Sequence, residues 1–187
     1  TEGWDAHGLE VSKHSVQAAK ERFGIELKET TLLEYADETD QTEYDVISFF
    51  GSNHVVTYPM EHLRHAYDLL ADGGYIVLRT HNFDSVSTRI LQTFPNEVVR
   101  FLRPPASTNL FSESSIRTAF DRLGFEPVSW WFFGLDVFEL LIHLDANYDG
   151  FKDLPLYEYI LANFNEIQHG IDKSKNGDQL VMIGKKS

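Results

Sequence analysis

The sequence predicts an α/β protein in which strands and helices alternate, and three observations carry that expectation. A short strand at 7–11 runs directly into an amphipathic helix, Tyr44–Phe50 is a nearly continuous apolar run, and Tyr75–Leu78 is a second such run one helix later. Runs of this kind are expected of strands buried on both faces of a parallel sheet. Strands that alternate with helices of this length are joined by right-handed crossovers.

Each element has a local reason. His7-Gly8-Leu9-Glu10-Val11 is bounded by polar residues and meets Ser12, a good N-cap for the next helix. In that helix Val16, Ala19 and Phe23 share one face, and Gly24 stands where a C-terminal cap belongs. Pro59 opens a helix with Met60, Leu63, Ala66, Tyr67 and Leu70 on one side, stopped by Gly73-Gly74. After Thr80 the expected elements are a helix over 85–94, a loop holding Pro104-Pro105, and a helix over 112–123 capped by Gly124. The last third reads as a strand over 127–133, an irregular stretch over 145–155, a helix over 156–169 and a final strand over 179–185. No internal repeat, low-complexity segment or linker interrupts the chain.

Composition narrows the function classes. A chain of 187 residues suits one domain. With 42% hydrophobic and 24% charged residues it can form a packed core. The formal net charge of −13 argues against a nucleic-acid partner, because that affinity comes mostly from Lys and Arg displacing condensed counterions. Anionic membrane surfaces are disfavoured for the same reason. The absence of cysteine excludes disulfides, thiolate metal sites and Cys nucleophiles, and it is compatible with a reducing cytoplasm. The longest apolar run, Trp130 to Leu144, carries Asp136 and Glu139 and falls short of the roughly 20 apolar positions of a membrane span. No N-terminal signal pattern is present, and the chain begins at Thr1 without an initiator Met. Charge is uneven: Glu29, Glu34, Asp37, Glu38, Asp40, Glu43 and Asp45 fall in an interval without Lys or Arg. Arg89, Arg100, Arg103, Arg117 and Arg122 cluster later, where a small anionic group would be better received.

Three stretches, in order, carry a family resemblance. The first is Gly8-Leu9-Glu10-Val11-Ser12. The second is Tyr44-Asp45-Val46-Ile47, followed one helix later by Leu70-Ala71-Asp72-Gly73-Gly74-Tyr75-Ile76-Val77. The third is Phe111-Ser112 through Leu123-Gly124-Phe125-Glu126. Together they resemble the class I S-adenosylmethionine-dependent methyltransferases, in the small-molecule group related to ubiquinone-pathway and sugar methyltransferases, over about residues 1–133.

The resemblance implies a Rossmann-like open sheet, mostly parallel with an antiparallel last strand at its edge and helices on both faces. It implies one domain over residues 1–187, with 1–83 as the cofactor-side half and 84–187 as the acceptor-side and C-terminal half. S-adenosylmethionine is the implied cofactor, and the implied reaction is O- or C-methylation of a small molecule such as a sugar or secondary-metabolite precursor. A cytoplasmic enzyme of small-molecule metabolism is expected, without metal, nucleic acid or membrane; its oligomeric state is left open.

Site residues follow from the same resemblance. In an open α/β sheet the ligand sits beyond the carboxyl ends of the strands. Glu10 stands at such an end, where its two oxygens suit the two hydroxyls of a ribose. It equally suits the start of the helix near Lys13, where the dipole stabilises a carboxylate. Val11 is its implied neighbour in the cofactor site. Thr31 and Leu32 resemble the positions that flank adenine, although core packing explains the leucine as well. Phe49, Phe50 and Gly51 resemble the segment lining the methionine moiety and the methyl-transfer point. His54 and His81 are the candidate catalytic bases, since a histidine near neutrality can take the acceptor's proton.

The sequence also departs from the family. Ser52-Asn53-His54-Val55 lacks the glutamate that often precedes the histidine, His81-Asn82 replaces Pro-Asn, and Ser107 or Thr108 stands where a histidine commonly precedes Phe-Ser. The family's first strand and Gly-rich loop belong before the strand ending at Glu10, and Thr1 to Asp5 holds no such loop. The chain is therefore read as an N-terminally truncated piece of such an enzyme, with unpaired edges on the strands that end at Glu10 and Phe50. Two other readings stay open. One is a non-catalytic methyltransferase-like binding module, and the other is a Rossmann-type NAD(P) oxidoreductase, which Gly73-Gly74 fits poorly.

Overall fold

A computed structural model describes residues 3–40, 43–94 and 107–187. The Pro104-Pro105 loop, Arg100 and Arg103 lie outside the described residues. The chain opens with β1 (Leu9–Glu10), α1 (Lys13–Phe23) and β2 (Lys28–Glu29), and β1 pairs in parallel with β2. Ser12 caps α1 by accepting from the Ser15 amide, and Gly24 ends it at φ +65°. Next come α2 (Leu32–Glu38), β3 (Tyr44–Phe50), α3 (Pro59–Leu69) and β4 (Leu70–His81). The remainder is α4 (Val86–Thr93), α5 (Glu113–Leu123), β5 (Phe125–Phe133), α6 (Asp136–Asn147), α7 (Pro155–Ala162), α8 (Phe164–Lys173) and β6 (Gln179–Lys186).

The larger sheet has the order β3-β4-β6-β5. Strand β3 is parallel to β4, and β6 is antiparallel to both β4 and β5, so β3, β4 and β5 share one direction. The last strand is antiparallel, as expected, but it is not the edge: it lies between β4 and β5. Leu180 and Met182 are fully buried there, and Gly184 backs onto Phe120 so closely that a Cβ would meet that ring at 2.7 Å. Helices α3 and α5 cover one face, placing Leu63, Ala66, Ile116 and Phe120 against Phe49, Ile76, Leu78 and Phe132.

The structure corrects several expectations. β3 is not buried on both faces: Phe49 points into the core, whereas Phe50 is 64% exposed, as Trp131 on β5 is at 62%. Side chains alternate across a strand, and the helices found here pack one side of it. Gly73-Gly74 does not stop α3, which ends at Leu69, but lies inside β4. The register with β3 shifts between Tyr44 and Val46, and a Cβ on Gly74 would meet the carbonyl oxygens of Ala71 and Tyr44 at 2.9 and 3.0 Å. The pair therefore serves a close backbone approach. The helix expected over 156–169 is two helices, broken at Asn163, whose amide turns back to donate to Tyr159 O at 2.8 Å. Part of the stretch expected to be irregular belongs to α6, whose apolar residues on both sides, buried Val137 and Leu141 and exposed Phe138 and Ile142, blur the helical period. Among the described residues β1–β2 forms a sheet of its own and does not pair with β3.

A second cluster of Val137, Leu141, Phe151 and Ile160 joins α6 and α7 to the turn between them. Its polar anchor is Asp136, fully buried. Oδ1 accepts from the Ser87 amide and hydroxyl, both at 2.8 Å, and Oδ2 accepts from Gln168 Nε2 at 3.1 Å and the Asp178 amide at 3.0 Å. One carboxylate thus ties α4, α6, α8 and the approach to β6. Asp136→Asn sets an NH₂ group against donors, and urea denaturation is expected to show a loss of about 1–3 kcal/mol; unchanged stability would remove this anchoring role.

Candidate functional site

The parallel strands β3 and β4 end side by side, so the residues that follow them meet at one end of the sheet. Phe50 closes β3. Gly51 follows at φ +76°, a conformation that favours glycine, and its amide donates to Arg79 O at 3.1 Å. The loop then passes His54, whose carbonyl accepts from the amides of Thr108 and Asn109 at 2.9 and 3.0 Å. Asn109 Nδ2 donates to Val56 O at 2.6 Å. The segment before α5 is in this way sewn to the loop after β3.

The His54 and His81 rings lie 5.0 Å apart, tilted by 57°. His54 Nδ1 is buried without a hydrogen-bond partner, and burial pushes the His54 pKa below its ordinary value. His81 ends β4, and its Nδ1 faces Gln179 Nε2 at 2.8 Å. Asn53, 1% exposed, has both amide atoms buried without partners. Arg79 lies two residues before His81, on the same side of β4, with its guanidinium 5.5 Å from the Phe133 ring centroid. Phe133 in turn stacks on Trp131 at 4.5 Å. Asn82 fixes the end of β4 to the chain entering β6: its amide donates to Asp178 O at 2.8 Å, and its side chain donates to Gly177 O at 2.9 Å.

The other proposed site residues sit on the β1–β2 side. Glu10 Oε1 accepts from the Ser12 amide at 2.8 Å, whereas Oε2 makes no hydrogen bond among the described residues. One oxygen thus serves the start of α1 and the other remains to accept, so the two readings of this residue are compatible. Val11 is exposed. Thr31 caps α2 in a capping box, its hydroxyl accepting from the Glu34 amide at 3.2 Å while Glu34 Oε2 accepts from the Thr31 amide at 3.0 Å. Leu32 packs against the main core, as does Phe49. The structure therefore gathers Phe50, Gly51, His54 and His81 at one place and leaves Glu10, Val11, Thr31 and Leu32 on the neighbouring unit. Tyr44 links the two sides, with a hydroxyl bond to Tyr35 and its ring 6.0 Å from that of His7.

Sequence reading missed Gln179 and Asn53. Gln179 carries no local signal, because its meaning comes from a partner on another strand. Asn53 appeared only as the residue standing where a glutamate was expected. A recess of about 430 Å³ lined by Trp4, Asp45, Gly73 and Gly74 lies at the amino ends of β3 and β4, away from the histidines. Among the described residues no group of three or more acidic or histidine side chains converges as a metal site.

A family model described as a methyltransferase domain matches residues 1–129. No curated protein matches. Among solved structures, a SAM-dependent methyltransferase from Archaeoglobus fulgidus is similar at 18% identity and a TM-score of 0.62, covering 99% of this chain and 77% of that one. A SAM-dependent methyltransferase from Thermotoga maritima, described as a possible histamine N-methyltransferase, is similar at 16% identity and a TM-score of 0.58, covering 96% and 72%. The [4+2]-cyclase SpnF is similar at 15% identity and a TM-score of 0.56, covering 96% and 66%. At these identities the likeness is one of fold.

The buried setting of His54 has a direct consequence. An NMR titration is expected to place its protonation midpoint below about 6.5, the ordinary histidine value. A midpoint above that value would show that the ring is not held in its neutral form.

Proposed function

The chain belongs to the methyltransferase domain family, and from that premise we propose that it methylates a small-molecule acceptor at oxygen or carbon, with S-adenosylmethionine as donor. The observation that supports this reading best is the pairing of an exposed Phe50 and a glycine turn with two histidines at the carboxyl ends of β3 and β4. The residues fit the donor in a second respect, since Glu10 keeps one carboxylate oxygen available for hydroxyl groups. When bound, the donor supplies an electrophilic methyl carbon on a sulfonium.

The protein's task in such a displacement is mainly orientation. Glu10 holds ribose hydroxyls, Phe50 covers the apolar part of the donor, and the backbone at Gly51 leaves room for close approach. Val11, Thr31, Leu32 and Phe49 belong to the same proposed cofactor region, the last two through the packing beneath it. His54, whose burial lowers its pKa and so favours the neutral ring, accepts the acceptor's proton. The acidic chain, at −13, favours a small molecule over nucleic acid, and the lack of cysteine suits a cytoplasmic setting.

Calorimetric titration of the intact protein with S-adenosylmethionine tests the reading, and no heat of binding at ~1 mM donor would overturn it. Glu10→Ala is expected to weaken that binding by about 1–3 kcal/mol; unchanged affinity would remove Glu10 from the site. His54→Ala is expected to leave donor affinity intact and lower kcat by about 10²–10⁴-fold. An unaltered kcat would assign the base elsewhere.

A further inference from the structure

One arginine beside the proposed site meets no carboxylate among the described residues, and its setting deepens the functional reading on which its role rests. We infer that Arg79 is an acceptor-binding residue: its guanidinium receives the carboxylate of a small monoanionic acceptor, and Phe50 flanks the acceptor's apolar body.

Arg79 stands two residues before the end of β4 and points to the side of the sheet away from α3 and α5, since Leu78 and Thr80 are buried on the other. Strand register carries this side across the sheet. Arg79 pairs with Phe50 on β3 and with Val181 on β6, and Val181 pairs with Trp131 on β5. Phe50 and Trp131 are both exposed, so one cation sits in a row of apolar side chains open to solvent. The Gly51 amide donates to Arg79 O at 3.1 Å, which ties this row to the glycine turn of the proposed donor site.

The guanidinium has donors to spare. Its Nε is buried without a hydrogen-bond partner, and neither terminal nitrogen forms a hydrogen bond or ion pair among the described residues. Acids are not scarce in this chain, at 29 against 16 basic residues. Phe133, its ring centroid 5.5 Å from the guanidinium carbon, leaves the N–H groups in the guanidinium plane able to donate. A fork of N–H donors beside apolar groups is best met by a planar anion that accepts two of them at once. Phe50, Val181 and Trp131 are uncharged, so the row offers one fixed positive charge, which a carboxylate matches and a phosphate dianion exceeds. By contrast Arg117, which the sequence also set apart for an anion, is already engaged by Glu113 at 2.9 Å. Residues two apart on a strand are separated by roughly 7 Å, so a small acid held on Arg79 reaches the ends of β3 and β4, where His54 stands.

¹H–¹⁵N spectra of the arginine Nε–H groups in the intact protein test this without turnover, with benzoate as the probe and benzamide as its neutral counterpart. Benzoate is expected to shift the Arg79 resonance saturably, and benzamide to leave it in place. Arg79→Met is expected to weaken benzoate binding about 10–100-fold, followed at the Trp131 indole N–H, with S-adenosylmethionine affinity as in the wild type. Equal shifts with benzoate and benzamide would overturn the inference, as would no shift at ~50 mM benzoate or unchanged benzoate affinity in the variant. Loss of S-adenosylmethionine binding in Arg79→Met would also overturn it, by giving the cation to the donor. If the variant fails to fold, the two wild-type titrations still decide. Benzoate recognition without S-adenosylmethionine binding would sink the methyl-transfer reading alone and leave the Arg79 anion site standing.

Discussion

Strand β6 enters the sheet against the direction of its neighbours and pairs with both, with β4 from Tyr75 to His81 and with β5 from Phe125 to Phe133. The rest of the structure depends on this insertion. It buries Leu180 and Met182 under α3 and α5, where no other segment supplies those side chains. It gives β5 its partner, and it requires a glycine at 184, where a Cβ would strike Phe120. The approach to the strand is held by two polar anchors, Asn82 from the end of β4 and Asp136 from the start of α6. Buried groups of this kind keep their place only when each donor and acceptor is met, so the anchors fix the register and the hydrophobic contacts supply the stabilisation.

The candidate site inherits its asymmetry from that insertion. His54 comes from a loop after β3 whose backbone is sewn to residues 108 and 109, so its ring is positioned by a neighbouring segment and its Nδ1 is left unoccupied. His81 comes from the end of β4 and is met by Gln179 across the ladder. Two histidines 5.0 Å apart are thus held differently, one by a loop anchor and the other by a cross-strand neighbour. The family match ends at residue 129, whereas Gln179 lies in the last strand. The residue that distinguishes the histidines is therefore contributed by a part of the chain beyond that match.

The β1–β2 unit is attached differently. It pairs with no strand of the larger sheet among the described residues, and its links to the rest include the packing of α2 on α3 and the contacts of Tyr44 with Tyr35 and His7. Burial pushes the Tyr44 pKa upward, so this hydroxyl stays protonated and able to donate. The outward side of β3, with Phe50 exposed, faces away from α3 and α5.

The sequence determined the features whose cause is local. The caps at Ser12, Gly24 and Gly124, the proline start of α3 and the full extent of β3 were legible because each depends on a few adjacent residues. His54 follows β3 and His81 ends β4, and the ordered motifs pointed to the family. Local logic misread Gly73-Gly74, since a glycine pair reads alike whether it ends a helix or admits a neighbouring backbone. It missed the break at Asn163, whose side-chain amide donates back to Tyr159 O. Only the tertiary structure decided that β6 is internal, that β3 is covered on one side, and that Gln179 meets His81. Those outcomes turn on contacts between separate segments, 98 positions apart for His81 and Gln179, and no periodicity within either segment encodes which distant strand it will face.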